Sequence, residues 1–217
     1  MLYIVGLGAG DVDQLPIGVA KFLKKPYPIY LRTDHHPMMS FFEEEHIPYT
    51  SFDDVYEKYD TFEEVYEEII STLKNASKTK DVIYAVPGHP CVAEYAVKVL
   101  MQEVDVKIIG GQSFLDAMFA TLHIDPIDGF MMMDAQAMRI DSLNPSMNLI
   151  VPQVYDQMSA SEVKMDLMEA YPDEHRVCVV RGAGTSEESL SWMPLYEIDQ
   201  DFVLDNLTTL FVPAICE

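Results

Sequence analysis

Three short glycine-bearing segments hold the residue types best suited to binding chemistry. The first is Gly6-Leu7-Gly8-Ala9-Gly10-Asp11, inside the stretch YIVGLGAGDVDQLPIGVA. Glycine lets the backbone turn sharply and approach a ligand closely, because no Cβ intervenes. A Gly-x-Gly after a strand usually suggests a Rossmann dinucleotide loop, whose helix N-terminus meets the pyrophosphate. Here the spacing is Gly-x-Gly-x-Gly-Asp, and the next helix starts only after Pro16, too late to serve that purpose. The segment reads as a different kind of ligand loop or as a purely structural turn. The second segment is YAVPGHP, Tyr84 to Pro90, at the end of another apolar run. Pro90 suits the first turn of a helix, where its missing N–H is harmless. His89 is either a capping or core-edge histidine or a ligand-facing one. The third is Gly110-Gly111-Gln112-Ser113-Phe114, whose hydroxyl at a helix start is explained by capping alone. Each signal is weak by itself. Three such loops at successive strand ends of one sheet point to a ligand site at its carboxyl edge.

A fourth segment, Arg32-Thr33-Asp34-His35-His36-Pro37, follows the second apolar run and belongs to the same edge. It is a polar loop or, through Arg32, His35 and His36, a contact for anionic substrate groups, since guanidinium binds carboxylate bidentately. Arg139 and Arg181 are weaker candidates for that role. The paired histidines lack partners at metal-ligand spacing, so no metal site is expected. The methionines, Met38, Met39 and Met131 to Met133 among them, are core filler or an adaptable apolar pocket wall. Tyr155 and Asp156 follow a strand-like run and carry no assigned role. No nucleophile triad is recognisable, and no catalytic residue is assigned.

These loops need a scaffold of alternating strands and helices. Apolar runs at residues 2–5, 28–31, 49–52, 82–86 and 106–109 read as strands. Between them, residues 17–25 and 38–45 read as helices. Thr61-Phe62-Glu63-Glu64 has capping-box spacing, and Phe62, Val65, Tyr66, Ile69, Ile70 and Leu73 form a core-facing stripe behind it. Val92, Tyr95, Ala96, Val99 and Leu100 repeat the stripe. Ser113 and Asp116 cap a helix bearing Leu115, Met118, Phe119 and Leu122. Strand–helix repeats of this length require crossovers, hence a mostly parallel sheet. The turn-rich HIDPIDG (residues 123–129) marks a domain boundary, dividing an α/β domain at 1–122 from a second at 123–217. In the latter, residues 130–133, 149–154, 176–181, 193–198 and 209–212 read as strands. One long helix, opening at a second capping box, Ser159-Ala160-Ser161-Glu162, buries Val163, Leu167, Ala170 and Tyr171. Several strands with few helices predict a mixed sheet.

Composition narrows the class. The 217 residues are 49% hydrophobic and 23% charged, as suits a chain with a real core. No run approaches the length of a membrane span, and the N-terminus has no basic region preceding an apolar one. Cys91, Cys178 and Cys216 are far apart, which fits a reducing compartment better than a disulfide framework. The expectation is a soluble, cytoplasmic protein. A net charge of −22 repels phosphate backbones and disfavours nucleic-acid binding.

The order GLGAGD, then PGHP about eighty residues on, then GGQSFLDA resembles the tetrapyrrole (corrin/porphyrin) methylase family over essentially the whole chain. In LRTDHHP, VPGHPCVAE, IIGGQSFLDAMFATLHIDPIDG, VPQVYD and SEVKMDLMEAYPD it is most similar to the methylase-like domain that some bacterial proteins carry ahead of a MazG-type nucleotide pyrophosphohydrolase. The resemblance implies two α/β domains, S-adenosylmethionine (SAM) in a cleft between them, and a homodimer. Carried over, Gly8, Ala9, Gly10 and Asp11 match the first cofactor loop. Pro87, Gly88, His89 and Pro90 match the loop usually written Gly-Asp-Pro, with Val92 behind it. Ser113 and Phe114 match the Thr/Ser-containing loop, and Gln153, Ala183 and Thr209 fall where the second domain lines the cofactor. Two residues depart from the pattern. Ala9 stands where the family usually has proline, and His89 where it usually has aspartate. An aspartate attracts the cationic amino group of SAM, and a protonated histidine does not. The resemblance implies a SAM-dependent methyltransferase acting on a small, tetrapyrrole-like acceptor that the sequence does not specify. The alternative is a SAM-binding regulatory module without turnover, partnered with a MazG-type hydrolase. An RNA methylase is disfavoured by the charge.

Overall fold

The structure is a computed structural model that describes residues 1–200 and 203–215; Cys216 lies outside them. In chain order the first elements are β1 (Leu2–Gly6), α1 (Ile17–Leu23), β2 (Ile29–Leu31), α2 (Met39–Glu44), β3 (Thr50–Ser51), α3 (Asp53–Lys58) and α4 (Phe62–Ser77). After them come β4 (Val82–Val86), α5 (Tyr95–Glu103), β5 (Val106–Ile109) and α6 (Phe114–Leu122). The rest comprises β6 (Phe130–Met132), β7 (Asn148–Pro152), α7 (Gln157–Met168), β8 (Arg176–Arg181), β9 (Ser189–Pro194) and β10 (Thr208–Val212), with short 3-10 turns between. Contacts group the chain into two units, Met1–Ala117 and Met118–Glu217. Among the described residues no helix is long and apolar enough to cross a membrane.

The first unit holds a five-stranded sheet in the order β3-β2-β4-β1-β5, parallel throughout. Parallel pairing forces each strand end to cross over before the chain returns, and the helices do this on both faces. On one face Val65, Ile69 and Leu73 of α4, with Ala96, Val97 and Leu100 of α5, pack on Leu2, Ile4, Val82, Tyr84 and Val86. On the other, Val19 and Leu23 of α1, with Phe41 and Phe42 of α2, pack on Val5, Ile29, Leu31, Ile83 and Ala85. Central β4 is therefore buried along its whole length. The chain leaves adjacent β1 and β4 toward opposite faces, so their junction is the topological switch point of the sheet.

The second unit holds a mixed sheet in the order β6-β7-β10-β8-β9. Only β6 and β7 run parallel; the other neighbours are antiparallel. Its core joins Val163 and Leu167 of α7 to Leu149, Val151, Val177, Val179, Leu210 and Val212. The expected pair of α/β domains, parallel then mixed, is the fold observed.

Three local expectations are corrected. The strand expected at 193–198 lies earlier: β9 runs over Ser189–Pro194, and Leu195–Glu197 form a 3-10 turn. β9 is an edge strand with Ser189, Leu190, Ser191 and Trp192 all exposed, so it lacks the alternation that betrays a half-buried strand. The stripe beginning at Val92 is not helical from its start. Ala93 takes the left-handed conformation (φ 54°) and α5 opens only at Tyr95, so Pro90 lies in a turn rather than in a first helical turn. The second capping box is also shifted. Asp156, not Ser159, is the N-cap: its Oδ1 accepts the Ser159 N–H at 2.7 Å, and the Ser159 hydroxyl accepts the Asp156 N–H at 3.2 Å. The cap amide and hydroxyl of Ser159 hold the Asp156 carboxyl below its usual range. Asp156→Ala is expected to lower the urea midpoint of the fold, and Glu162→Ala to leave it nearly unchanged. Urea denaturation of both variants checks this order.

Candidate functional site

The three glycine loops meet as backbone against backbone. The Leu7 N–H donates to the Val86 carbonyl at 2.8 Å, continuing the β1–β4 pairing past its last residues. One step on, Gly8 and Gly88 exchange two hydrogen bonds, Gly8 N–H to Gly88 O at 3.1 Å and Gly88 N–H to Gly8 O at 2.8 Å. The third loop closes in from β5. A Cβ on Gly6 would stand 2.5 Å from Gly88 O, 2.6 Å from Gly111 N and 2.8 Å from Pro90 Cδ. One on Gly111 would stand 2.5 Å from Gly6 O and 2.7 Å from Gly88 O. Side chains are excluded from both positions. Gly8 (φ 86°) and Gly88 (φ 63°) differ from these: nothing lies within 4 Å of where their Cβ would be. The junction is packed solid beneath and leaves bare backbone facing open space above it.

His36 supports this junction from the β2 side. Its Nδ1 accepts the Met38 N–H at 3.2 Å, which places the proton on Nε2. Nε2–H then donates to Gly8 O at 3.1 Å. Burial lowers the histidine pKa, only partly opposed by the Gly8 carbonyl, so the neutral ring is favoured. A neutral histidine holding a backbone carbonyl is no anion contact. Arg32 is no free anion contact either. Its Nη1 lies 2.8 Å from Glu94 Oε1, and its Nε donates to Tyr56 Oη at 3.2 Å. The Glu94 side chain is only 5% exposed. Burial raises its pKa and the Arg32 guanidinium opposes the rise. Of the expected anion cluster only His35 is exposed. Ligand-capable atoms of Asp34, His35 and Asp53 lie within 4.8 Å of one another, and Asp53 Oδ2 accepts the Asp34 N–H at 2.8 Å.

The remaining site residues divide between the units. His89 folds over its own turn, Nδ1 accepting the Cys91 N–H at 3.1 Å, with the ring against Gly110. The imidazole thereby holds the turn that follows β4. Ala9 and Asp11 are half-buried and Gly10 buried on the first loop, while Val92 is half-buried beyond the second. Ser113 caps α6: its Oγ accepts the Leu115 N–H at 3.2 Å, and Asp116 Oδ2 accepts the Ser113 N–H at 2.8 Å. Phe114 follows, half-buried. In the second unit, Gln153, Ala183 and Thr209 share one edge of the mixed sheet, since Thr209 pairs with Pro152 and Thr208 with Arg181. Gln153 has φ 68°, and Gly182 and Gly184, either side of Ala183, have φ 61° and 79°. Left-handed backbone at two strand ends of one edge is a feature the sequence does not advertise at Gln153. Arg181 is matched too, its Nε donating to Asp205 Oδ2 at 2.6 Å. Arg139 is exposed.

The model of the tetrapyrrole (corrin/porphyrin) methylases matches residues 1–199 of this chain. The chain belongs to that family. A tetrapyrrole methylase fold also relates it to solved structures of low identity. A diphthine synthase aligns at TM-score 0.71 and 17% identity, covering 98% of this chain and 89% of that one. A uroporphyrin-III-C-methyltransferase from Thermus thermophilus aligns at 0.71 and 15%, covering 98% and 93%. The same Thermus enzyme complexed with S-adenosyl homocysteine aligns at 0.67 and 17%, covering 98% and 91%. Among curated proteins, YabN of Bacillus subtilis (strain 168) is 50% identical over 219 residues, which span 99% of this chain and 45% of YabN. The chain thus spans about half the length of that relative.

The clash geometry makes a direct prediction. Gly6→Ala and Gly111→Ala are each expected to destabilise the protein by about 1–3 kcal/mol or more, because backbone has to move. Gly18→Ala, in α1 with nothing within 4 Å, is expected to be neutral or stabilising by up to about 1 kcal/mol. Thermal melts of the three variants measure the contrast.

Proposed function

We propose that this protein binds SAM at the Gly6–Gly88–Gly111 junction and transfers its methyl group to a small-molecule acceptor. The observation that carries the reading is the Gly8–Gly88 backbone pair, with no atom within 4 Å of either Cβ position, at the switch point of a parallel sheet, where such folds bind ligands. A cradle without Cβ atoms suits a ligand lying flat against backbone. The acidic chain adds a favourable field for a cationic ligand. Bound SAM supplies an electrophilic methyl carried on a sulfonium. The chain's own part is positioning, since an in-line transfer depends on near-attack geometry and needs a base only if the acceptor must lose a proton. The Gly8–Gly88 pair fixes the first two loops against each other, and neutral His36 fixes the Gly8 carbonyl. Ser113 with Asp116 fixes the third.

A second reading is favoured by His89. It stands where the family usually carries aspartate, and its Nδ1 is taken up by the Cys91 amide. Without that carboxylate the protein is a SAM-binding regulatory module partnered with a MazG-type nucleotide pyrophosphohydrolase. Titration calorimetry with SAM and S-adenosylhomocysteine tests what both readings share. Binding of each to the folded wild type is expected, and no heat from either overturns both. Transfer of labelled methyl from SAM into an acceptor in cell extract separates them: label transfer supports the enzyme, and binding without transfer supports the module.

A further inference from the structure

The loop after β4 is anchored at both ends by unrelated means. At its start Gly88 pairs with Gly8 through two backbone hydrogen bonds. At its far end Glu94, the residue before α5, meets the Arg32 guanidinium at 2.8 Å. Between them the chain forms a short internal turn, Cys91 N–H to His89 Nδ1 and Val92 N–H to His89 O at 2.9 Å, and buries Pro90 beside Gly6. Ala93 then enters the left-handed region at φ 54°, a conformation that costs a residue bearing a Cβ. Something must hold it there, and its neighbour Glu94 carries the loop's one charged anchor.

Arg32 is well placed for that task. Its own N–H donates to the Ala85 carbonyl at 2.9 Å, so the residue is rooted in the β2–β4 pairing beneath the loop. Its Nε is aimed by the Tyr56 hydroxyl from α3. The pair sits over Tyr84, whose hydroxyl is buried with no hydrogen-bond partner among the described residues. A buried ion pair is weak evidence for stability, because desolvation offsets the attraction. It is strong evidence for position, because neither charge tolerates losing its partner. We infer that Arg32 and Glu94 are positioning residues, whose ion pair fixes residues 87–93 in the conformation that presents Gly88 at the glycine junction. The inference rests on the proposed SAM site for the ligand's identity, not for the loop's restraint.

Hydrogen exchange of the unliganded protein and calorimetry with S-adenosylhomocysteine test it together. In Glu94→Gln the amides of Gly88, Cys91 and Val92 are expected to exchange faster while β4 and α5 keep their protection. Affinity for S-adenosylhomocysteine is expected to fall about tenfold. Adding Ala93→Gly is expected to restore part of that affinity, since glycine enters the left-handed region without strain. Unchanged loop exchange overturns the inference. So does a loosened loop with unchanged affinity, or a loss of protection spread evenly over β4 and α5, which marks a packing role. Should Glu94→Gln fail to fold, Tyr56→Phe removes one of the bonds that aim the guanidinium and decides by the same readouts. If the wild type binds no S-adenosylhomocysteine, the proposed function fails, and loop exchange alone still decides the restraint.

Discussion

Everything in the first unit is arranged around one steric constraint: three backbone segments share a space that admits no side chain. Gly6, Gly88 and Gly111 approach until their carbonyls and amides stand where Cβ atoms would be. That packing is possible only if β1, β4 and β5 are parallel and adjacent, so that their carboxyl ends reach the same edge. Parallel adjacency in turn demands crossover helices on both faces, and so a core on each side of β4. The apolar stripes of α4 and α5 and the aromatic pair Phe41–Phe42 supply those cores. The junction and the doubly covered sheet are one requirement seen at two scales.

The same constraint separates two kinds of glycine in what looks like one motif. Gly6 and Gly111 are there because nothing else fits. Gly8 and Gly88 are there because the backbone must turn left-handed and stay bare. A sequence pattern counts them alike, but in the proposed site a ligand meets only the second kind. The polar residues nearby follow this division. His36, Arg32 and Ser113, each attractive as a binding group on residue type, hold backbone or another charge in place. In a chain of net charge −22, its few cations are valuable as internal anchors. Arg32 with Glu94 and Arg181 with Asp205 are two such uses.

Much of this was legible in the chain. Strand β4 was readable to the residue because five consecutive apolar positions are all buried, and Thr61 with Glu64 announced the start of α4. The order of the three glycine loops led to the family and the fold. What was not legible has physical causes. The partner of Arg32 lies sixty-two residues away, and no local period links them. Ala93 and Gln153 adopt left-handed backbone with side chains that give no warning. Strand β9 is exposed on both faces, so hydrophobic alternation is silent there, while the buried Leu195 and Ile198 that mimic a strand belong to the turn after it. Asp156 displaced Ser159 as the cap of α7 because the helix opens earlier, at Gln157, where the Asp156 carboxylate takes up the Ser159 amide.

The central claim is that the bare backbone at Gly8 and Gly88 is a ligand cradle. Amide chemical-shift mapping during titration with S-adenosylhomocysteine tests it most directly. The account predicts that the largest shifts fall on Gly8, Ala9, Gly88 and His89 and their immediate neighbours. Saturable binding whose shifts fall elsewhere, leaving those amides unmoved, would contradict it.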